Sequence, residues 1–204
     1  DNIMGGCPTL FLKDYFPKEN KLSEKYKTDC LISIRTPNLM SVPPEKQYEL
    51  RDILLDTIDY LKSKGFSNVK FLCHDHRDIP FADSFKGVDF IFTDDAYKFI
   101  NLLRHTRLNL TFRLHSFIPC LSLDVPTIKV SYDERALSLV DSIGMDDWNI
   151  NYVKDNVMAE IKSRIDNIGD LESIKTQNNQ SLWPSIQNGF VNNFSSFAEM
   201  CLSS

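Results

Sequence analysis

The stretch TDCLISIRTPNLMSVPPEKQYELRDILLDTIDYLKSKGFSNVKFLC (residues 28–73) decides the fold. It begins with an apolar, partly β-branched run over 28–35, which predicts a buried strand followed by a turn-rich loop. Apolar residues then recur at three- and four-residue spacing over 45–64, and Gly65 follows them as a helix C-cap does. The run NVKFLC at 68–73 predicts a second strand. A strand, a helix and a strand in this order indicate a parallel βαβ unit.

The alternation of strands and helices continues toward the C-terminus. The next predicted elements are strands at 88–93, 107–112 and 127–132, and helices at 95–104, 117–123 and 133–144. Parallel strands joined by right-handed helical crossovers form an α/β domain with helices on both faces of the sheet. We therefore expect a Rossmann-like three-layer αβα domain with a parallel sheet over residues 28–150.

Two segments flank this predicted domain. Residues 1–27 begin at an aspartate and contain a GGCP turn, so we interpret them as the end of a preceding domain and an interdomain linker. Apolar residues at helical spacing predict extra C-terminal helices over 151–204 that pack on the domain. One predicted helix covers 149–168, and a last amphipathic one covers 182–202.

The composition excludes several classes of protein. A formal net charge of −5 argues against a nucleic-acid partner, because that binding needs a surplus of Lys and Arg. No apolar run approaches the roughly 20 residues of a transmembrane segment, and no signal peptide is evident, so we predict a soluble cytoplasmic protein. The 5 cysteines form no C-x-x-C pair, which favours reduced, buried thiols. With only 7 glycines and no glycine-rich phosphate loop, we expect no bound cofactor.

Candidate site residues follow the predicted strands, because ligands of open parallel sheets bind beyond the carboxyl ends of the strands. These residues are Arg35 after the first strand; His74, Asp75 and His76 after the second; Arg113, His115 and Ser116 after the fourth; and Arg135 after the fifth. Proline is tolerated in the first turn of a helix, so Pro119 predicts Ser116 as an N-cap. Arg113 and His115 then precede a helix N-terminus, where free amides and a guanidinium favour an anion.

Two other interpretations of these residues stay open. Arg113 can instead pair with an acid, and His115 can be a hydrogen-bonded core histidine. The HDHRD loop (residues 74–78) resembles part of a binuclear metal site, but Ile79 stands where such a motif needs another histidine. We therefore predict no metal and favour a polar, substrate-facing loop.

The segment FRLHSFIPCLSLDVPTIKVSYDERALSLVDSIGM (112–145) resembles the signature of the polysaccharide pyruvyl transferase family. GGCPTLF (5–11) is similar to the turn with which that family enters its second domain. The resemblance extends over about residues 5–150 and is most specific around the R-L-H tripeptide. Two departures are Asp124, where many relatives have glycine, and Arg135, where an Asp-x-Lys pattern is more usual.

The resemblance implies a GT-B-like two-domain protein of which this chain is mainly the C-terminal half. The implied partners are phosphoenolpyruvate, a sugar acceptor and the missing N-terminal domain. Arg113 and His115 match the family's functional tripeptide, which implies anion binding and proton transfer at these positions. From their positions at the strand ends alone, we expect Ser116, Arg35 and Arg135 to contact substrate and the His74–His76 loop to meet the acceptor.

Three hypotheses follow for the function. The first is a pyruvyl transferase of surface polysaccharide biosynthesis, weak or inactive as an isolated half. The second is a non-catalytic sugar-phosphate binding domain of the same fold. The third and weakest is a metallohydrolase built on the HDHRD loop.

Overall fold

A computed structural model describes residues 7–16 and 27–202, and the sheet lies within the second of these ranges. Its strands are β1 (Thr28–Ser33), β2 (Val69–Cys73), β3 (Phe90–Phe92), β4 (Thr106–Thr111), β5 (Thr127–Ser131) and β6 (Ile150–Asn151). The spatial order is β3-β2-β1-β4-β5-β6, and every pairing is parallel. The order reverses between β1 and β4, as in a Rossmann-like sheet, so the predicted fold class is confirmed.

Helices cover both faces of the sheet. They are α1 (Leu12–Tyr15), α2 (Pro44–Ser63), α3 (Ile79–Asp83), α4 (Ala96–Arg104), α5 (Leu114–Ser122), α6 (Glu134–Ser142), α7 (Val157–Asp166), α8 (Gly169–Gln180) and α9 (Leu182–Leu202). Asp95 caps α4 by accepting hydrogen bonds from the amides of Tyr97 and Lys98. Asp133 caps α6 in the same way through the amide of Ala136. These caps place the helix starts at the carboxyl ends of β3 and β5.

The ends of α2 follow from its sequence. Pro44 occupies its first turn, where the missing amide hydrogen has no helical partner to lose. At the other end Gly65 adopts a φ of +85°. This left-handed conformation costs glycine little free energy because glycine has no side chain. The amide of Phe66 then donates to the carbonyl of Leu61 over 3.1 Å, which closes the helix with a Schellman-type cap.

The two faces of the sheet differ in polarity, because successive side chains of a strand point to opposite sides. We call them the α2 face and the α5 face, after the helices that cover them. Buried apolar strand residues on the α2 face include Cys30, Ile32, Phe71, Leu110, Ile128 and Val130. Fully buried polar strand residues on the α5 face are Ser33, Asn109, Thr111, Thr127, Lys129 and Ser131. Leu31, Leu72 and Ile91 extend the α5 face as a smaller apolar cluster toward β3.

The predicted helix over 149–168 is wrong in its first half. Ile150 pairs in register with Val130, so the chain adds β6 to the sheet before α7 begins at Val157. Asn156 caps α7 through the amide of Ala159. A two-residue strand carries no periodic pattern of its own, and its position depends on the free edge of β5.

The predicted C-terminal helices are otherwise present, and α9 runs over Leu182–Leu202 as predicted. Within the described ranges, no helix combines the length and apolar character needed to cross a membrane. Cys30, Cys73 and Cys120 are buried free thiols, as expected, whereas Cys201 on α9 is exposed. Residues 1–6 and 17–26, which hold most of the predicted linker, lie outside the described residues.

Candidate active site

A cavity of about 380 Å³ opens at the carboxyl edge of the sheet, beyond the ends of β2, β4 and β5. It is lined by Cys7, His74, Asp75, Phe112, Arg113, Leu114, His115, Ile118, Tyr132, Asp133, Arg135, Ala136 and Leu139. Five of the predicted site residues are in this lining, namely His74, Asp75, Arg113, His115 and Arg135. The fold therefore brings together side chains from three strand ends that are far apart in sequence.

Arg113 occupies a rigid turn between β4 and α5. The hydroxyl of Thr111 accepts a hydrogen bond from the Arg113 amide over 2.8 Å and donates to its carbonyl over 2.9 Å. The backbone of Arg113 is extended, with φ −115° and ψ 129°, and α5 begins at Leu114. The side chain thus leaves the sheet at a defined position beside the helix N-terminus.

The guanidinium of Arg113 forms an ion pair with Asp78. Its Nη2 donates to Asp78 Oδ2, and its Nε donates to the carbonyl of Ile34 over 3.0 Å. Asp78 is fully buried, and its Oδ1 also accepts the amide of Thr36 over 3.0 Å. The structure therefore contains the salt bridge that the alternative interpretation of Arg113 predicts, although the side chain still lines the cavity. Asp78, at the end of the HDHRD loop, is the partner that the sequence analysis did not identify.

The other acids of this edge are also paired with arginines. Asp75 receives three side-chain hydrogen bonds from Arg77, at 2.5, 2.9 and 3.0 Å, which hold the pKa of that carboxyl far below its usual value. Arg35 Nη1 lies 4.0 Å from both Asp75 and Asp78. Arg35 therefore places a positive charge near both carboxylates, but it is not part of the cavity lining. Among the described residues, no group of three His, Cys, Asp or Glu side chains could hold a metal ion.

His74 and His76 have different surroundings. Burial lowers the pKa of His74 to about 3, with smaller contributions from the charges of Arg113 and His115, so its ring is neutral near pH 7. The ring meets Phe99 edge-on at 4.9 Å, and its buried Nε2 has no hydrogen-bond partner within the described part of the chain. His76 is exposed, packs against Phe92 at 4.3 Å and lies outside the cavity lining.

The predicted N-cap at Ser116 is wrong. Helix α5 starts at Leu114, so Ser116 lies inside its first turn and is fully buried. Its hydroxyl contacts that of Ser33 at 2.8 Å and donates to Asn109 Oδ1 over 3.1 Å. These contacts anchor α5 to the sheet, and they leave Ser116 outside the cavity lining. His115, one position earlier, is exposed and faces the cavity.

The third side of the cavity comes from the end of β5. The Arg135 side chain is 84% exposed, and its Nη2 lies 4.0 Å from Asp133 Oδ2. Asp133 is occupied as the cap of α6, since its Oδ1 accepts the amide of Ala136 over 2.7 Å. Burial raises the pKa of the neighbouring Tyr132, so its phenol stays protonated. Arg135 therefore keeps most of its guanidinium surface available to a ligand.

Lys129 is a buried cation that the sequence analysis missed. It lies in the middle of β5 and has no exposed surface. The sequence feature that could have indicated this buried lysine is its position inside the predicted strand TIKVS (127–131). Its Nζ donates to the carbonyl of Val130 over 2.5 Å, and burial lowers its pKa to about 7.

A parallel sheet of this order, with arginines and histidines around a cavity at its carboxyl edge, defines a Rossmann-like domain. The sequence profile of the polysaccharide pyruvyl transferase family matches residues 1–134, and the chain belongs to that family. The match includes the R-L-H tripeptide at 113–115 and ends just before Arg135. Comparison with curated proteins gives no match. Family membership implies a transferase with a pyruvyl donor and a sugar acceptor.

Proposed function

We propose that the protein transfers a pyruvyl group from phosphoenolpyruvate to sugar hydroxyls as a ketal, in the cytoplasmic synthesis of a surface polysaccharide. The observation that carries this proposal is the convergence of Arg113, His115 and Arg135 on one cavity in a chain of this family. In a GT-B-like arrangement the chain forms one wall of the site, and an N-terminal domain forms the other.

The donor is held by its negative charges. Phosphoenolpyruvate presents a phosphate and a carboxylate, and planar guanidinium groups bind both in a bidentate manner. Arg135 is suited to direct contact because its side chain is largely exposed. Arg113 is held by Asp78, which offsets part of its charge, so it contributes mainly a fixed hydrogen-bonding edge beside the amides of α5. Asp75 and Asp133 are engaged with Arg77 and with the α6 amides, which limits their repulsion of the anion.

The reaction also needs proton transfer. Two acceptor hydroxyls add to C2 of phosphoenolpyruvate and lose two protons. One proton goes to C3, which becomes a methyl group, and the other goes to the phosphate, which leaves as inorganic phosphate. An imidazole can donate and accept protons near neutral pH, and His115 is the exposed imidazole at the cavity. His74 is neutral, and its Nε2, which has no hydrogen-bond partner among the described residues, suits a hydrogen bond to an acceptor hydroxyl.

A non-catalytic sugar-phosphate binding domain is the second candidate. The observation that favours it is the ion pair of Arg113 with Asp78, which offsets the charge of the arginine that matches the family's tripeptide. Such a domain would bind anionic sugars or phosphoenolpyruvate without turning them over.

Binding is tested first on the 204-residue chain, by saturation-transfer NMR with phosphoenolpyruvate. Arg135→Gln is expected to weaken binding about 10- to 100-fold, since it removes a charged hydrogen-bond donor. Arg107→Gln is the matched control, because Arg107 is also exposed but pairs with Asp29 at the amino end of β4. Equal affinity of the two variants would contradict the assignment of the cavity.

Catalysis is tested on the native protein with phosphoenolpyruvate and a panel of nucleotide- and lipid-linked sugars. Mass spectrometry detects the ketal, and a phosphate assay follows the leaving group. His115→Gln is expected to lower the turnover rate about 10²- to 10⁴-fold while donor binding persists. The control is His105→Gln, because His105 lies at the end of α4 and contacts the carbonyl of Asn101. Donor binding without ketal formation for any acceptor would favour the non-catalytic domain.

A further inference from the structure

Lys129 is an unusual residue for the centre of a parallel sheet. It points to the α5 face, where it is the register neighbour of Thr111 on β4. Its side chain is fully buried, and within the described residues it forms no ion pair. A buried ammonium without a counter-charge is strongly unfavourable, so the chain keeps this lysine at a cost in stability.

The contacts of Lys129 direct it toward the cavity. Its Nζ donates to the carbonyl of Val130, the next residue along β5, which draws the ammonium toward the carboxyl edge of the sheet. Thr111, its register neighbour, holds both backbone groups of Arg113. Lys129 is therefore one strand away from the residue that holds the turn of the R-L-H tripeptide.

The charges that act on Lys129 belong to the same site. Asp133, at the start of α6, favours the protonated form, whereas Arg113, at the start of α5, disfavours it. Neutral polar groups surround it on the sheet, with Thr111 on β4 and Ser131 on its own strand. The other titratable groups of the cavity lining are Cys7, His74, Asp75, His115, Tyr132 and Arg135, and Lys129 lies beneath this lining without being part of it. An anion bound beside Arg113 would supply the negative charge that Lys129 lacks.

We propose that Lys129 is a positioning residue of the anion site, and that it takes up a proton when an anionic ligand binds in the cavity. Ligand binding then becomes stronger as the pH falls, because the protonated lysine adds a positive charge behind the site. The inference rests on the proposed function in one respect, since it takes the cavity as the place where the donor's anionic groups bind.

Isothermal titration calorimetry with sulfate tests this proposal, because sulfate itself does not titrate near neutral pH. Binding enthalpies at pH 7.5 in buffers of different ionisation enthalpy give the number of protons taken up. We expect about half a proton or more for the wild-type chain and less for Lys129→Met, with wild-type affinity falling about 10-fold between pH 6 and 8.5. Lys129→Arg stays charged throughout, so its affinity should fall less between pH 6 and 8.5 than that of the wild type.

The possible outcomes separate this inference from the proposed function. Equal proton uptake by the wild type and Lys129→Met would overturn the role of Lys129 and leave the cavity assignment intact. Sulfate binding that is absent, or that is insensitive to Arg135→Gln, would overturn the cavity assignment and the inference with it. If Lys129→Met does not fold, the proposal is tested by the nitrogen chemical shift of Lys129 Nζ in the wild type. Sulfate should move this shift toward the ammonium value, and an unchanged shift would overturn the role of Lys129.

Discussion

The α2 face and the α5 face of the same sheet are built on different principles. On the α2 face, strand side chains such as Ile32, Leu110 and Val130 are fully buried in the main apolar core. On the α5 face, the same strands contribute Ser33, Asn109 and Lys129, which are equally buried. Burial alone therefore does not distinguish the two faces, and their difference lies in hydrogen bonding.

The buried polar groups of the α5 face form a connected network. Asn109 Oδ1 accepts from the hydroxyls of Ser33 and Ser116, and Asn109 Nδ2 donates to Thr127 over 2.9 Å. Such a network is directional, so it holds α5 and the residues at its start in one position. Apolar packing on the α2 face stabilises the fold but is not directional. The hydrogen bonds of the α5 face are directional, and they position the candidate site.

The largest effect is expected on the apolar face. Leu110→Ala should lower the free energy of unfolding by about 2–5 kcal/mol, because it removes buried methyl groups and leaves a cavity. Urea unfolding followed by circular dichroism measures this loss. Sulfate affinity of the folded variant should change less than twofold, and a larger change would show that the α2 face also shapes the site.

The next effect is expected from the centre of the polar network. Asn109→Leu preserves the approximate volume but leaves the hydroxyls of Ser33, Ser116 and Thr127 buried without this partner. We expect a loss of about 1–3 kcal/mol in unfolding free energy, together with weaker sulfate binding as α5 loosens. Asn101→Leu, on α4 away from the cavity, is the comparison variant. Unchanged sulfate binding in Asn109→Leu would contradict the positioning role of the network.

A smaller effect with a defined pH dependence is expected for Lys129→Met. The pKa of Lys129 is about 7 in the folded chain, below its usual 10.5, so above pH 7 the unfolded chain binds a proton that the folded chain lacks. Wild-type stability should therefore rise between pH 7 and 8.5, by up to about 1.4 kcal/mol per pH unit. Urea unfolding across this window should show a flatter profile for Lys129→Met.

The window of that measurement ends at pH 8.5 for a physical reason. Burial raises the pKa of the Cys30 and Cys120 thiols, so at higher pH the unfolded chain loses protons that the folded chain keeps. Their contribution to stability falls with pH and opposes that of Lys129. Identical slopes for the wild type and Lys129→Met below pH 8.5 would show that Lys129 does not titrate in this range.

The smallest effect is expected at Asp124, between α5 and β5. Its φ of +57° is a left-handed backbone conformation that glycine adopts more readily than other residues. Its carboxylate bridges Lys13 at 2.6 Å and the buried Lys175 at 3.2 Å. Asp124→Gly should change the unfolding free energy by less than about 1 kcal/mol, because relief of the left-handed backbone offsets the lost ion pairs.

Asp124→Asn provides the matched comparison for that prediction. It removes the charge without the backbone freedom of glycine, so its melting temperature should lie below that of Asp124→Gly. The reverse order would mean that the carboxylate's charge contributes little and that its hydrogen bonds dominate.

The sequence predicted much of the fold because its signals are local. Helix α2 has a long apolar period and a glycine at its end, and β1, β2, β4 and β5 are apolar runs bounded by turn residues. Strand β6 and the start of α5 were missed for the opposite reason. The first is too short to have a pattern, and the second depends on the contacts of Ser116 with Ser33 and Asn109.

In the candidate site, too, the features that depend on contacts between distant segments could not be predicted. Strand ends of a parallel sheet can be located from sequence, so Arg113, His115 and Arg135 could be named as neighbours. The partner of Arg113 could not, because Asp78 belongs to another loop and its selection over Asp75 depends on the path of the chain after β2. His76 was grouped with His74, yet a short turn over His76–Asp78 carries it away from the cavity.

The sequence by itself determined the parallel sheet, the order of its first five strands with the helices between them, and the edge at which we propose that a ligand binds. These follow from periodicity and turn chemistry within short segments. Only the tertiary structure decided which charges meet, that Arg113 is held by Asp78, and that Lys129 is buried behind the site. Electrostatic interactions act through space between segments distant in sequence, and their strength depends on the burial that folding creates.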